Sequence, residues 1–193
     1  MIVQETLFPT DTVTKVDEKG SDSWYTPQHI ITKVETVFDG HIDLDPCANA
    51  KNTVGAQYYF TEADDCLSCD WSFKDCEEFY IAPPRTIYMN PPYSDSPSFL
   101  QRMCEYLWEQ PEASAITLTK EGSLFNVGSQ DIFKFNAKAI CLVRGRLKFW
   151  NPVKNESNTP NFDVAFGYWG NGDRLEKFVE TFKHLGMIVV PHR

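Results

Sequence analysis

Apolar residues recur along the chain at two spacings that alternate with each other. After a Thr26-Pro27 helix start, positions 30–38 repeat every three or four residues, as on an amphipathic helix, until Gly40. Positions 41–45 alternate between polar and apolar, as in a strand, and Pro46 ends this run. Further strand patterns cover positions 57–60, 86–89, 113–118, 139–143, 162–169 and 187–190, and further helices begin near Ser96-Pro97, Asp131 and Asp173.

This alternation predicts an α/β fold in which a mostly parallel sheet has helices on both faces. Residues 1–22 lack an apolar period and are predicted to form a flexible N-terminal tail. The remaining residues, 23–193, are numerous enough to bury one sizeable core, and we expect them to form a single domain.

Composition indicates a soluble protein of the reducing cytoplasm. No apolar run approaches the roughly 18 residues needed to cross a bilayer, and the six cysteines occur without a secretory signal. We therefore expect reduced thiols, no membrane and a cytoplasmic location. Cys66, Cys69 and Cys76 also allow a zinc site, but no fourth Cys or His lies close by in the sequence, which favours small buried thiols and no metal.

The net charge of −9 by itself disfavours a nucleic-acid partner, because such affinity comes largely from neutralising phosphates. The distribution of charge changes this view, since residues 1–80 hold 16 acids and 5 bases whereas residues 132–155 hold six bases and no acid. The basic segment follows a predicted strand and precedes a polar loop that is long enough for a hairpin. It is either a solvated basic face or a nucleic-acid interface, and charge alone does not distinguish DNA from RNA.

The segment Asn90-Pro91-Pro92-Tyr93 directly follows a predicted strand. Two prolines end a strand because neither donates to a ladder and each restricts the residue before it. Ligands of open α/β sheets bind at the carboxyl ends of strands, and here this corner presents an amide side chain, the Pro91 carbonyl and an aromatic ring. Two acceptors can hold the amino group of a heteroaromatic ring so that its lone pair becomes available for attack, while the aromatic face holds the base.

Seven motifs occur in order between Trp24 and Trp169. They are Trp24-Tyr25-Thr26-Pro27, Asp43-Leu44-Asp45-Pro46-Cys47-Ala48-Asn49, Tyr59-Phe60-Thr61, Asp64-Asp65-Cys66-Leu67, Asp70-Trp71, Asn90-Pro91-Pro92-Tyr93-Ser94 and Gly145-Arg146-Leu147-Lys148-Phe149. Together they resemble the phage-type DNA N-6-adenine methyltransferase (Dam) family. The resemblance implies a Rossmann-like methyltransferase fold, S-adenosylmethionine as methyl donor, and the N6 amino group of adenine in double-stranded DNA as acceptor.

The resemblance also implies roles for individual residues. Asn90 and Pro91 would hold the target amino group, with Pro92 completing the rigid corner. Tyr93 would stack on the adenine after it has been flipped from the helix. We assign the cations Arg144, Arg146 and Lys148 to the DNA interface, in a target-recognition hairpin or loop at 144–161. The residues that would bind the cofactor are Tyr25, Thr26, Pro27, Asp45, Pro46, Cys47, Ala48, Asp70 and Trp71.

Several alternatives remain open at this point. Asp43 and Asp45 would also suit strand-end carboxylates that cap a helix, and Tyr93 and Trp71 would suit ordinary core packing. The protein could instead methylate an RNA adenine or a protein glutamine amide, or bind nucleic acid without catalysis. The acidic residue for the cofactor ribose is left open among Glu62, Asp64 and Asp65.

Overall fold

The computed structural model describes residues 25–74, 82–151, 156–171 and 173–192, and within these ranges it has the predicted α/β architecture. The predicted tail, residues 1–22, lies outside them. The helices are α1 (Gln28–Val37), α2 (Ser96–Glu109), α3 (Val127–Asn136) and α4 (Leu175–Phe182). The strands are β1 (Leu44–Asp45), β2 (Tyr58–Tyr59), β3 (Thr86–Met89), β4 (Ser114–Lys120), β5 (Ala137–Val143), β6 (Phe149–Asn151), β7 (Glu156–Asn158), β8 (Val164–Gly170) and β9 (Gly186–Val189).

Seven of these strands form one sheet in the order β2-β1-β3-β4-β8-β5-β9. The first five strands of the chain all run in one direction, as a parallel sheet requires. β8 and β9 run in the opposite direction, so the sheet is mixed. The sequence did not reveal this difference, because a strand that is buried on both faces has the same apolar pattern in either direction.

Helices cover both faces of the sheet, as expected. α1 packs with α4 on one face, and α2 packs with α3 on the other. β8 contributes to both layers, because Phe166 and Tyr168 belong to the core under α1 and α4, whereas Ala165 and Trp169 belong to the core under α2 and α3. Within the described residues, no helix has the length and apolarity needed to cross a membrane.

One edge of the sheet collects the ends of several strands. β1, β3, β4 and β5 end there, and β8 begins there because its direction is reversed; Lys120 at the end of β4 pairs with Val164 at the start of β8. Prolines stop two of the strands at this edge, since Pro46 directly follows β1 and Pro91 comes two residues after β3. The loops that follow these strands therefore lie near one another.

The remaining two strands, β6 and β7, pair as an antiparallel hairpin inside the predicted recognition segment, 144–161. Residues 152–155, which connect the two strands in the sequence, lie outside the described residues. The chain that precedes α1 joins the hairpin, because Tyr25 and Trp150 exchange two backbone hydrogen bonds of 3.2 Å. A role of the hairpin in recognising a target remains a prediction.

Candidate active site

The corner Asn90-Pro91-Pro92-Tyr93 lies at the end of β3, whose four residues are all buried. The Pro92 carbonyl closes the turn, since it accepts hydrogen bonds from the Asp95 amide at 3.2 Å and the Ser96 hydroxyl at 3.3 Å. α2 begins at Ser96, so the corner is fixed between a central strand and a helix. Asn90 and Tyr93 are half-buried and lie at the edge where open α/β sheets bind ligands.

Thr26 is brought to the same place. Its hydroxyl oxygen lies 2.7 Å from that of Tyr88, a fully buried residue of β3 two positions before Asn90. The sequence predicts Thr26 as the cap of α1, but Pro27 occupies the cap position and no side chain caps the helix. The Thr26 hydroxyl instead holds its segment against β3, which puts this part of the predicted cofactor site beside the corner.

Asp45, the last residue of β1, is 2% exposed. Its carboxylate accepts a hydrogen bond from the Cys47 amide at 3.0 Å, the only hydrogen bond to it within the described ranges. Burial removes water from the charged form and raises the pKa of Asp45 to about 7. A nearby positive charge would favour the ionised form, so this carboxyl group suits a cationic partner.

Asp43, two residues earlier, has a structural role. Its Oδ2 atom accepts hydrogen bonds from the amides of Arg85 at 2.7 Å and Thr86 at 3.0 Å, and these bonds tie β1 to the start of β3. Its Oδ1 atom lies 3.1 Å from Nε2 of His41. The Asp43 carboxylate therefore stabilises local structure, whereas the Asp45 carboxylate lies at the carboxyl edge with capacity for further contacts.

Tyr88 lies among the groups of this site. Burial raises the pKa of its hydroxyl, the hydrogen bond with Thr26 opposes this, and negative charge on Asp45, Tyr93 or Cys47 raises the pKa further. These neighbours come from three separate segments of the chain. The end of β1, the corner after β3 and the segment before α1 therefore share one small volume.

The loop after β1 is anchored to the end of β2, because the Ala48 amide donates a hydrogen bond to the Phe60 carbonyl at 2.9 Å. Cys47 in this loop lies beside Cys66, and burial together with this contact raises the pKa of the Cys47 thiol well above its ordinary value. Among the described residues, no group of three or more His, Cys, Asp and Glu side chains could hold a metal ion. Cys76, which the zinc interpretation needs, lies outside the described residues.

Asp70 and Trp71, both predicted to bind the cofactor, lie in a turn after β2. The Trp71 ring is fully buried, its Nε1 donates to the Cys66 carbonyl at 2.8 Å, and Arg102 lies 5.1 Å from the ring centroid. Partial burial raises the pKa of Asp70, but hydrogen bonds from the hydroxyl and amide of Ser72 outweigh this and lower it. The indole ring thus packs in the core, and cofactor contact by this pair remains a prediction.

We expect Trp71→Ala to lower the free energy of unfolding by about 3–5 kcal/mol, because it leaves a large cavity beside Tyr106. Urea denaturation measures this loss. Trp108→Ala is the matched control, since Trp108 is 86% exposed and its removal should change stability by no more than about 0.5 kcal/mol. A loss at Trp71 below about 1 kcal/mol would contradict the packing role.

Two of the three carboxylates proposed for the cofactor ribose are used by their own loop. Asp64 accepts hydrogen bonds of 2.7 Å from both the amide and the hydroxyl of Thr61. Asp65 accepts a hydrogen bond of 2.8 Å from the Ser68 hydroxyl. Glu62 is exposed. Asp64 and Asp65 thus have the local hydrogen bonds that are typical of carboxylates in a solvated turn. The identity of the residue that would bind the cofactor ribose is still open.

Lys120 and Phe162 join the corner, although no motif in the sequence points to them. The Tyr93 and Phe162 rings meet edge to face, with centroids 5.0 Å apart. Lys120 Nζ lies 4.8 Å from each centroid. The strand predicted at 113–118 stops two residues before Lys120, whereas β4 reaches Lys120 at the carboxyl edge. Phe162 was predicted inside a strand, but β8 begins at Val164 and leaves this ring in the loop.

The residues assigned to DNA lie on the exposed side of the segment after β5. Leu147 and Phe149 are buried, so the side chains between and before them point to solvent. Arg146 is partly engaged by Asn161, at 3.2 Å, and by Asp163, at 3.9 Å. Among the described residues of this segment, the exposed cations are Arg144, Arg146 and Lys148.

The fold and the site together define an α/β protein with a candidate active site at the carboxyl edge of its sheet, built from an amide side chain, a rigid proline turn and an aromatic ring. Residues 13–167 match the family model described as DNA N-6-adenine-methyltransferase (Dam). This match covers well over half of the 193 residues, and the protein belongs to that family. The resemblance drawn from the motifs is thereby confirmed. No curated protein matches the chain.

Proposed function

We propose that the protein transfers a methyl group from S-adenosylmethionine to N6 of a flipped adenine in double-stranded DNA, on a Rossmann-like sheet. The observation that carries the proposal is the corner Asn90-Pro91-Pro92-Tyr93, fixed at the sheet edge beside the buried carboxyl group of Asp45. Family membership supports a DNA adenine methyltransferase. A DNA substrate also favours action in the cytoplasm of a bacterial or phage-infected cell.

The corner supplies the contacts that the acceptor needs. The side-chain oxygen of Asn90 and the carbonyl of Pro91 would accept hydrogen bonds from the adenine amino group and draw its nitrogen toward a tetrahedral geometry. Tyr93 would stack on the base and offset part of the cost of flipping it, which is a few kcal/mol. Prolines on both sides of the Pro91 carbonyl limit its movement, so the acceptors are positioned before the substrate arrives.

The residues around Asp45 fit the donor. S-adenosylmethionine carries a cationic sulfonium and an ammonium group, and its electrophilic methyl group supplies the transfer chemistry. Asp45 is a deeply buried carboxyl group with one hydrogen bond among the described residues, and a cationic ligand would stabilise its ionised form. Thr26, Pro46 and Cys47 border the same volume. We assign the methionine end of the donor to this group.

Labelled methyl transfer tests the proposal. The protein is incubated with labelled S-adenosylmethionine and, in parallel, with unmethylated duplex DNA, RNA and protein. Label in DNA that is recovered as N6-methyladenine supports the proposal. Label in RNA or in protein glutamine would show that RNA or protein, and not DNA, is the substrate. The absence of transfer to all three would indicate a binding protein. Sequencing of modified adenines then identifies the target sequence.

Removing single cations of the recognition segment should weaken DNA binding. Each of Arg144→Ala, Arg146→Ala and Lys148→Ala should lower the salt slope by about one unit if the residue contacts a phosphate. An arginine that reads a guanine should instead cost about 1–3 kcal/mol at one base pair. We assign Lys148 to a phosphate and leave both roles open for the arginines.

Titrations on cognate and scrambled duplexes at several salt concentrations distinguish the two roles. Lys177→Ala is the control, because Lys177 lies on α4 and pairs with Asp39. Unchanged affinity in all three recognition-segment variants would put the DNA on another face of the protein.

A further inference from the structure

We propose that Lys120 is a positioning residue for the target base. In the free protein its ammonium group holds the Tyr93 and Phe162 rings together, and when DNA binds the side chain moves so that this group contacts a phosphate of the flipped nucleotide. This inference rests on the proposed function and deepens it. Neither the motifs nor the chemistry of methyl transfer assigns a role to this lysine. Its place in the structure does.

The ammonium group of Lys120 lies between two aromatic rings. Its Nζ atom is 4.8 Å from the centroid of Tyr93 and 4.8 Å from that of Phe162. The planes of these rings meet at 79°, and their centroids are 5.0 Å apart. A cation at this distance is attracted by the electron-rich face of an aromatic ring. Lys120 thus links the ring of the predicted base-stacking residue to a second ring from a distant part of the chain.

The backbone next to this cation is held by the pairing of β4 with β8. Lys120 is the last residue of β4 and pairs with Val164 at the start of β8. The next amide, of Glu121, donates a hydrogen bond to the Asp163 carbonyl at 2.9 Å. These contacts fix the backbone of Lys120 beside Asp163 and Val164, which directly follow Phe162 in the chain. Only the flexible side chain needs to move for the ammonium group to reach a new partner.

The charge of this lysine remains available for such a partner. No ion pair in the described part of the chain involves Lys120. An aromatic ring attracts a cation but does not neutralise it, whereas a nucleotide phosphate carries a full opposite charge. A base that stacks on Tyr93 also needs the part of the ring surface that the Lys120 ammonium group covers in the free protein. Base entry and phosphate contact therefore favour the same movement.

Nuclear magnetic resonance tests the first half of the proposal without any catalysis. Ring currents should shift the ε-methylene protons of Lys120 upfield in the free protein. Tyr93→Leu or Phe162→Leu should reduce that shift, and duplex DNA should reduce it in the wild type. Unshifted ε-protons in the free wild-type protein would overturn the aromatic contact, whether or not the protein methylates DNA.

Binding and flipping assays test the second half. Lys120→Met keeps the length and apolar stem of the side chain but removes its charge. We expect it to lower the salt slope of DNA binding by about one unit and to weaken binding about fivefold, and to reduce the fluorescence rise of 2-aminopurine at the target position. Lys120→Arg should restore most of the salt slope. Lys177→Met, on α4, should change neither quantity.

The outcomes separate the two proposals. An unchanged salt slope and an unchanged 2-aminopurine signal in Lys120→Met would overturn the role of Lys120 while leaving the proposed function intact. An equal loss in the arginine and methionine variants would show that a positive charge at this position does not support DNA binding, and would also overturn it. If the wild type transfers no methyl group to DNA, the proposed function fails, and the ring-current measurement still decides whether Lys120 occupies the corner.

Discussion

Replacing Asn90 with alanine is expected to reduce methyl transfer about 100- to 1,000-fold while leaving affinity for S-adenosylmethionine within about tenfold. An acceptor that strengthens its hold on the amino group as the nitrogen becomes tetrahedral acts on the transition state, so its loss lowers turnover more than binding of the donor. Asn90 is half-buried at the end of β3, where the two prolines fix its backbone. Single-turnover methylation and calorimetry measure the two quantities.

A suitable control is Asn136→Ala, because Asn136 is the last residue of α3 and, within the described residues, its side-chain amide donates to the Ile132 carbonyl of the same helix at 3.0 Å. This variant should retain wild-type rates. Retention of more than a tenth of wild-type turnover by Asn90→Ala would remove Asn90 from the catalytic role.

Replacing Asp45 with asparagine is expected to make stability less dependent on pH. Because the folded-state pKa is raised from 3.8 to about 7, the folded protein keeps a proton that the unfolded chain releases. The contribution of Asp45 to stability is therefore fully present below about pH 4 and is lost as pH rises to about 7. The slope is about 1.4 kcal/mol per pH unit, and the total is on the order of 4 kcal/mol.

An asparagine side chain cannot titrate, so the free energy of unfolding of Asp45→Asn minus that of the wild type should increase between pH 5 and pH 8. Urea denaturation at several pH values, without added cofactor, measures this difference. A difference that stays constant with pH would show that the Asp45 carboxyl group does not retain its proton. Saturating S-adenosylmethionine should reduce the pH dependence of the wild type, since a cationic ligand favours the ionised carboxylate.

The parts of the site that depend on local rules were predictable from the sequence. Prolines must end strands, so the positions of Asp45 and Asn90 at strand ends followed from Pro46 and from Pro91. Strand ends of one direction meet at one edge of a sheet, which brought the two residues together in the prediction. The helical spacing of positions 30–38 likewise predicted α1, whose inward residues are buried.

Long-range contacts were not predictable in the same way. Lys120 meets Tyr93 because β3 and β4 are parallel neighbours, and it meets Phe162 because β8 lies next to β4 and runs against it. No local pattern in the sequence encodes these pairings. The burial of Trp71 depends on Tyr106, a residue of α2 far along the chain. A single sequence shows that a ring is apolar, but it does not show whether the ring faces a ligand or the core.

The reversed direction of β8 has a consequence for how target preference can change. β5 and β8 are neighbours in the sheet, and the recognition segment leaves from Val143 and returns at Val164 on the same edge. Beyond the bridge between Tyr25 and Trp150, a segment whose two ends join adjacent antiparallel strands can be lengthened, shortened or exchanged without altering the pairing of the seven-stranded sheet, and each doubling of its length costs only about 0.6 kcal/mol. The sheet can therefore carry different hairpins beside an unchanged Asn90-Pro91-Pro92-Tyr93 corner, so that, under the proposed function, sequence preference and chemistry can diversify separately.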